Sequence, residues 1–301
     1  MQTRSGFFGV YPMVYALFDA RGDLAREAMR RQVAAMLKHR VHGIAVLGLA
    51  SDVNKLSTAE RHRFMEWVAE DVAGKLPIAV TVAETSVPGQ IEFVKAAASL
   101  GAKWAILQPP PVKGVGDAEL IRFFGAVADA SPLPIAIQNA PEYLGNGLSH
   151  AGINALRKAH ANVAIVKLEA SAVAIARLCD QVDGALDVFN GHGGIDMVDA
   201  LRAGAVGIIP GGEAFDVLAR LFDDMASDAP DGPARAQRRY EEVLPLLVFL
   251  MESIDTFLVY GKRVLGDRLG IEEIHPRLPH AAATPFGIET VKRYAASLGK
   301  L

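Results

Sequence analysis

Cysteine is almost absent from this sequence, and so is any concentration of charge. Cys179 is the only cysteine among 301 residues, so the chain can form no internal disulfide. It lies at an apolar helical position in "AVAIARLCDQV", which indicates a buried packing residue; a reactive thiol is the alternative interpretation. The net charge is only −3 and the basic residues are scattered, which argues against a nucleic-acid partner.

Long apolar runs are missing as well. No stretch reaches the roughly 20 residues that a membrane-spanning helix needs. The N-terminal run "FFGVYPMVYALFDARGD" contains Pro12 and soon meets Asp19 and Arg21, without the basic lead-in and cleavage pattern of a signal peptide. These absences predict a soluble cytoplasmic protein that binds neither membrane nor nucleic acid.

The sequence does contain a regular alternation of two patterns. Short apolar runs typical of buried parallel strands alternate with amphipathic stretches such as "LAREAMRRQVAAMLKHR". The strand candidates are "GVYPMVYAL", "HGIAVLG", "PIAVTVA", "WAILQP", "PIAIQN", "VAIVKL", "LDVFN" and "VGIIPG". Eight strand–helix units predict an α/β fold, the (β/α)₈ TIM barrel. A doubly wound open sheet is the runner-up, but neither a G-x-G-x-x-G motif nor a P-loop supports it.

A helical C-terminal region follows the eighth unit. The polar segment "SDAPDGPARA" reads as a linker, and beyond it "QRRYEEVLPLLVFLMES", "DTFLVYGKRVLGDRLG" and "GIETVKRYAASLG" have helical spacing. Their apolar faces need a partner, either the barrel or another subunit. We therefore predict a barrel over residues 1–226 and a helical extension over residues 227–301 that packs on it.

Polar residues follow most of the predicted strands. In a (β/α)₈ barrel the chemistry takes place at the C-terminal ends of the strands. The residues at these ends are Ser51 and Asp52, Glu84 and Thr85, Gln108, Gln138 and Asn139, Lys167 and Glu169, Asn190 and His192, and Gly211, Gly212 and Glu213. A carboxylate in such a place more often caps a helix than catalyses a reaction, and this applies to Asp52 and Glu213.

Lys167 is the exception among these residues. It ends the apolar strand "VAIVKL", where an ammonium group is costly unless it is paired, solvated or neutral. A salt bridge to Glu84, Glu169 or Glu213 is the structural interpretation. The functional interpretation is a neutral amine that attacks a ketone and forms a Schiff base, which then acts as an electron sink.

Several motifs resemble one family in order and spacing. "GIAVLGLASDVNKLSTAER" resembles the second strand and Gly-Thr-Thr-Gly-Glu loop of the dihydrodipicolinate synthase and N-acetylneuraminate lyase family of class I aldolases. "IQNAP" resembles its Tyr-Asn-x-Pro segment, and "IVKLEAS" its strand with the Schiff-base lysine. "VFNGHGGIDMVDALRAGAVGIIPG" and "YGKRVLGDRLG" followed by "PRLP" resemble its later segments.

The resemblance implies a fold, a chemistry and a set of site residues. Lys167 would form an iminium with a 2-oxo acid, without a cofactor or metal, in a cytoplasmic homotetramer or homodimer. The residues expected to bind the substrate are Ala50, Ser51, Asp52, Asn139, Gly191, His192 and Gly211.

The chain also departs from the family pattern. The family's proton-relay tyrosine is replaced by Gln138, an amide that cannot act as an acid or base near neutral pH. A second tyrosine is lost in "QPPPVKG", and Leu49 and Ala50 replace two hydroxyl residues that grip the carboxylate of the 2-oxo acid. The synthase's arginine becomes Tyr143 or a neighbour. An ordinary dihydrodipicolinate synthase is therefore not expected.

A new acid or base would have to replace the tyrosine. Asp52, Glu84, His192 and Glu213 are candidates, and Glu84 is favoured because it adds a carboxylate where the family usually has a small turn. The catalytic set predicted from the sequence is therefore Lys167, Gln138 and Glu84.

Three hypotheses follow from the sequence. The leading one is a Schiff-base lyase, an aldolase or dehydratase acting on a 2-oxo acid or a 2-keto-3-deoxy sugar acid. The second is a non-catalytic relative that binds a carboxylic acid. The third is a metal-assisted barrel enzyme with Glu84, His192 and Glu213 as ligands, although no ligand pair has a diagnostic spacing.

Overall fold

The computed structural model describes residues 3–301 and contains one eight-stranded sheet. The strands are β1 Gly9–Val10, β2 Ile44–Val46, β3 Ile78–Val82, β4 Trp104–Leu107, β5 Ile135–Asn139, β6 Val163–Leu168, β7 Asp187–Asn190 and β8 Gly207–Ile208. Neighbours in the sheet run β1-β8-β7-β6-β5-β4-β3-β2. A parallel bridge between Met13 and Ala45 joins the segment after β1 to β2, which nearly closes the ring.

Helices alternate with these strands along the chain. They are α1 Arg26–Lys38, α2 Thr58–Val72, α3 Val87–Ser99, α4 Asp117–Ala130, α5 Pro141–Leu144, α6 His150–Ala159, α7 Ala172–Val182, α8 Met197–Arg202, α9 Phe215–Ala226, α10 Gly232–Leu250, α11 Ile254–Leu269 and α12 Pro285–Leu298. The architecture is a (β/α)₈ TIM barrel with C-terminal helices, which confirms the predicted fold class. No helix within residues 3–301 is long and apolar enough to cross a bilayer.

The linker predicted over residues 227–236 is shorter than expected. Helix α10 begins at Gly232, so the last five residues of that segment are already helical. Pro233 lies in the first turn, where a proline costs no hydrogen bond and its fixed φ suits the helix. Proline therefore starts this helix rather than interrupting the chain.

The chain forms two compact units. The first comprises the described part of Met1–Gly9 together with Pro77–Ile209, and the second comprises Val10–Leu76 and Pro210–Leu301. In the first unit β3 to β8 pair in parallel register. Its strand residues are almost entirely buried, as the continuous apolar runs predicted.

The second unit contains a buried charged cluster. Arg268, with a side chain 0% exposed, forms an ion pair with Asp216 at 2.8 Å and donates to the main-chain oxygen of Glu213. The guanidinium holds the pKa of Asp216 below its usual range, although burial opposes this shift. Because each charge has a partner, the cluster is compatible with its burial.

Candidate functional site

Four polar side chains share one face of the sheet in the first unit. Register pairs Gln138 with Lys167 across β5 and β6, and Thr81 with Ile106 across β3 and β4. Side chains alternate along a strand, so Gln108, two residues after Ile106, points the same way as Ile106. Thr81, Gln108, Gln138 and Lys167 therefore lie on the same face. The residues are 1–6% exposed.

Lys167 has a carboxylate partner. Its Nζ lies 2.9 Å from Oε1 of Glu169, and the two side chains are 5% and 9% exposed. Of the three salt bridges considered from the sequence, the structure forms the one with Glu169. The partner is two residues along the same chain segment, so both side chains leave β6 toward the same side.

Glu169 is held by the loop that follows β7. Its second carboxylate oxygen, Oε2, accepts a hydrogen bond from the main-chain N–H of His192. A Cβ on Gly191 would lie 2.2 Å from the carboxylate, so a glycine is needed for Glu169 to occupy this place. His192, which donates this hydrogen bond, adopts a left-handed backbone with φ 49°. Gly191 and His192 thus contribute to the site through the backbone.

Two titratable side chains lie close to this carboxylate. The hydrogen bond from His192 Nδ1 to Asp196 at 2.8 Å raises the pKa of His192, and the charge of Glu169 adds to this effect. Burial raises the pKa of Tyr143, and the charges of Glu169 and Glu142 raise it further. Tyr143, one of the residues that the resemblance offers for the family's arginine position, therefore lies within the field of Glu169.

Three glutamine residues are linked by hydrogen bonds beside Lys167, one to a main-chain oxygen and one between two side chains. Gln90 Nε2 donates to the main-chain oxygens of Glu84 and Gln108, each at 2.9 Å. Gln108 Nε2 in turn donates to Gln138 Oε1 at 3.0 Å. Gln138 is 1% exposed, and its Nε2 has no hydrogen-bond partner among the described residues. The amide beside Lys167 therefore presents buried N–H donors.

Two further predicted residues of the first unit have mainly structural contacts. Asn139 is bound on both sides to Leu148: its Nδ2 donates to the Leu148 oxygen, and its Oδ1 accepts from the Leu148 N–H. It thus closes the loop that follows β5. Glu84 lies two residues beyond β3 and is half-buried, and its main-chain oxygen receives the Gln90 bond. Its predicted acid–base role stays a prediction.

The loop after β2 belongs to the second unit. Ser51 Oγ donates to the Val14 oxygen at 2.6 Å and accepts from the Leu47 N–H at 3.0 Å, so the hydroxyl has partners on both sides. Asp52 is bound by two lysines, Lys262 at 2.5 Å and Lys55 at 3.1 Å.

Ala50 lies in the short 3₁₀ turn Leu49–Ser51 and is half-buried. The substrate-binding role predicted for this loop remains a prediction.

The segment that follows β8 also belongs to the second unit. The Tyr15 hydroxyl donates to Glu213 Oε2, and both side chains are completely buried. Burial is the main cause that raises the pKa of each group. A Cβ on Gly211 would lie 2.2 Å from Glu213 and 2.6 Å from the Tyr15 hydroxyl, so this glycine leaves room for the pair.

The geometry does not favour the metal hypothesis. Among residues 3–301 no group of three or more His, Cys, Asp or Glu side chains is placed to hold a metal ion.

Glu169 was the main omission from the predicted site. Its signal in the sequence was its position two residues after Lys167, but the pairing itself depends on Gly191 and His192 from the next strand.

These observations define a (β/α)₈-barrel protein with a buried lysine–glutamate pair at the end of its sixth strand. The model of the dihydrodipicolinate synthetase family matches residues 6–292. The chain therefore belongs to this family, which confirms the resemblance found in the sequence. Its departures from the family motifs make it a divergent member.

One curated relative and two solved structures illustrate what this chain is similar to. The L-2-keto-3-deoxyarabonate dehydratase of Azospirillum brasilense is 28% identical over 280 residues, covering 90% of this chain and 88% of that protein. The crystal structure of YagE from Escherichia coli K12 in complex with pyruvate has a TM-score of 0.86 at 22% identity, covering 97% and 99%. A catalytic lysine mutant of Ruminococcus gnavus sialic acid aldolase has a TM-score of 0.88 at 22% identity, covering 99% and 97%.

Proposed function

We propose that this protein is a Schiff-base-forming lyase that acts on a 2-oxo acid or a 2-keto-3-deoxy sugar acid through Lys167. The observation that carries the proposal is the buried Lys167–Glu169 pair. A carboxylate 2.9 Å from the amine is well placed to take one of its protons, which leaves the neutral nucleophile that Schiff-base formation requires.

Glu169 can also supply the proton that the family's tyrosine would deliver. The neutral amine of Lys167 attacks the ketone carbon, the C–N bond forms, and the carbonyl oxygen takes a proton from the nitrogen. Glu169 then returns its proton to this hydroxyl, which leaves as water while the nitrogen keeps one hydrogen as the iminium. Each of the three ammonium hydrogens is accounted for. This role for Glu169 replaces the one that Gln138 cannot perform.

Aldol cleavage and dehydration both continue from this iminium. Loss of a proton from the adjacent carbon and departure of its neighbouring hydroxyl would give dehydration, whereas cleavage of the next C–C bond would give an aldehyde and the enamine. Relatives of both kinds are known, since the Azospirillum protein is named a dehydratase and the Ruminococcus protein an aldolase. We assign the lyase class, and analysis of the products distinguishes aldol cleavage from dehydration.

Assembly and location belong to the same proposal. The family resemblance implies a homotetramer or homodimer in the cytoplasm, with a small-molecule 2-oxo acid as its partner and no cofactor. Light scattering of the purified protein at several concentrations measures the assembly. A monomer at all of them would exclude this part of the proposal without affecting the chemistry at Lys167.

Borohydride trapping tests the chemistry. The protein is reduced in the presence of pyruvate and a panel of 2-oxo and 2-keto-3-deoxy acids, and the adduct is mapped by mass spectrometry. We expect a stable adduct on Lys167 and products that identify cleavage or dehydration. Lys167→Arg, which keeps the charge beside Glu169, should form no adduct, whereas Lys158→Ala at an exposed position should label normally.

The opposite result would favour the non-catalytic hypothesis. If no acid labels Lys167, while wild type and Lys167→Arg bind the same carboxylic acid equally well and leave it unchanged, the lyase proposal is wrong. The chain would then be a binding protein that has kept the family's barrel.

A further inference from the structure

Gln138 occupies the position of the lost tyrosine, and its amide has a fixed orientation. Gln108 Nε2 donates to its oxygen at 3.0 Å. Gln108 itself is held by Gln90, whose Nε2 donates to the main-chain oxygens of Gln108 and Glu84. Because the oxygen of Gln138 is taken by a donor, its NH₂ group is the end that remains available. The hydrogen bond from Gln108 thus leaves the NH₂ end of Gln138 available.

The available NH₂ group is buried without a partner. Gln138 is 1% exposed, and Nε2 makes no hydrogen bond among the described residues. A buried amide donor without an acceptor is costly, because it has lost its hydrogen bond to water and gained none in return. A protein retains such a group most readily where a ligand completes the hydrogen bond.

The position of Gln138 indicates which ligand atom completes it. Gln138 and Lys167 are register partners on adjacent parallel strands, so their Cα atoms are separated by about 4.8 Å and their side chains leave the sheet on the same side. Atoms attached to the carbon that Lys167 attacks therefore come within reach of this amide. The oxygen of the 2-oxo group is such an atom, and it becomes more negative as the amine adds.

We propose that Gln138 donates a hydrogen bond from Nε2 to the oxygen of the substrate's 2-oxo group and stabilises that oxygen while Lys167 attacks. This inference rests on the proposed function. The amide of Gln138 polarises the carbonyl and keeps its own protons. Glu169, in contrast, takes a proton from Lys167 and returns it to the leaving hydroxyl. The two tasks that the family's tyrosine combines are divided between two residues here. Removal of one such donor typically lowers a rate by about 10²–10³-fold.

The experiment compares the rate of iminium formation with the affinity for the ligand. Gln138→Met has a similar size and no donor, and Gln138→Glu has the same shape and an acceptor in place of the NH₂ group. The rate of borohydride-trapped adduct formation with pyruvate is measured for each variant. Its dissociation constant is measured by calorimetry in a Lys167→Arg background, where no adduct forms.

We expect Gln138→Met to trap about 10²-fold more slowly with less than a threefold change in the dissociation constant. Gln138→Glu should be slower still at neutral pH, and its rate relative to wild type should recover as the pH falls and the carboxyl becomes a donor. A purely structural role of Gln138 would produce no such pH-dependent recovery. Circular dichroism and thermal unfolding establish that each variant is folded.

Other outcomes overturn the inference. Weaker binding with an unchanged trapping rate at saturation would place the amide on the substrate carboxylate. An unchanged trapping rate in Gln138→Glu at neutral pH would mean that no donor is needed at this position. A wild type that binds pyruvate but never labels refutes the proposed function by itself, because the adduct reports on Lys167 alone. In that case the inference falls as well, because no attack by Lys167 remains for the amide to assist. A wild type that labels while Gln138→Met traps at the wild-type rate overturns the inference alone. A wild type that neither binds nor labels any acid contradicts both.

Discussion

Glu169 Oε1 and Lys167 Nζ lie 2.9 Å apart at the end of β6, and neither side chain is more than 9% exposed. Removing one member of a buried pair leaves an uncompensated charge, which commonly costs 3–5 kcal/mol. Mutation of either residue alone is therefore expected to lower the stability of the fold. The pair also places an acceptor beside the amine to which we assign the proposed Schiff-base chemistry.

Glu169→Gln should slow Schiff-base formation while leaving ligand binding largely intact. The amide has the same shape but cannot accept the proton of Lys167, and loss of a positioned acid or base typically costs about 10²–10⁴ in rate. Borohydride trapping with pyruvate measures this rate. Glu142→Gln, on the exposed side of α5, serves as the control and should trap at the wild-type rate. Equal rates in both variants would show that Glu169 only neutralises Lys167.

Gly191→Ala should displace Glu169 from its place. The added Cβ would lie 2.2 Å from the carboxylate, so either Glu169 or the loop must move. We expect a loss of about 1–3 kcal/mol in the free energy of unfolding and a trapping rate close to that of Glu169→Gln. Gly116→Ala is the matched control, because a Cβ at that position meets nothing within 4 Å. An unchanged trapping rate in Gly191→Ala would show that Glu169 can act from another position.

These residues show what could be predicted from the sequence. The strand that ends in Lys167 was identifiable because its apolar run is local, and the eight such runs together indicate the barrel. The ion-pair partner of Lys167 could not be identified from the sequence, because three carboxylates were candidates. The choice depends on Gly191 and His192, which reach Glu169 from the next strand.

The orientation of Gln138 was also beyond sequence analysis. That an amide stands where the family pattern has a tyrosine was visible, but its available end is set by Gln108, which lies 30 residues earlier in the chain. Gln90, which holds the main chain of Gln108, lies 48 residues earlier. The fold brings these three side chains together through parallel pairing of β4 and β5. Glu84 was favoured as a new acid or base, and this role stays a prediction.

His192→Asn should remove a pH-dependent contribution to stability. The hydrogen bond to Asp196 raises the pKa of His192, so the folded state holds its proton more tightly than the unfolded state. This contribution is fully present below about pH 6.5 and is lost as the pH rises through the higher folded pKa. Because the side chain is 32% exposed, we expect a difference of about 0.5–1 kcal/mol.

Chemical denaturation at pH 5.5 and pH 9 measures this contribution. Wild type should be more stable than His192→Asn at the lower pH and nearly equal at the higher pH. Asparagine tolerates the left-handed backbone at this position, so the substitution adds little strain. Asp196→Asn should reduce the pH dependence in the same way. A difference that grows with rising pH would contradict the assignment.

Glu60→Gln tests an ion pair in the second unit with the opposite dependence on pH. The hydrogen bond from Arg277 lowers the pKa of Glu60 to about 2, and the contacts with Ser57 add to this effect. The folded state therefore binds the proton less tightly than the unfolded state. The stabilisation is present above the unfolded pKa of about 4.5 and is lost as the pH falls toward 2.

The expected effect is modest because Glu60 lies at the surface, with its side chain 21% exposed. Glutamine also keeps the capping box with Ser57 at the start of α2, so the substitution mainly removes the charge facing Arg277. We expect a loss of about 1 kcal/mol at pH 7 that is clearly smaller at pH 3, because the contribution fades across the interval between the two pKa values. Urea unfolding at the two pH values measures it, with Glu92→Gln at an exposed position of α3 as the control. A loss that persists unchanged at pH 3 would mean that the shape of the side chain, and not its charge, stabilises this region.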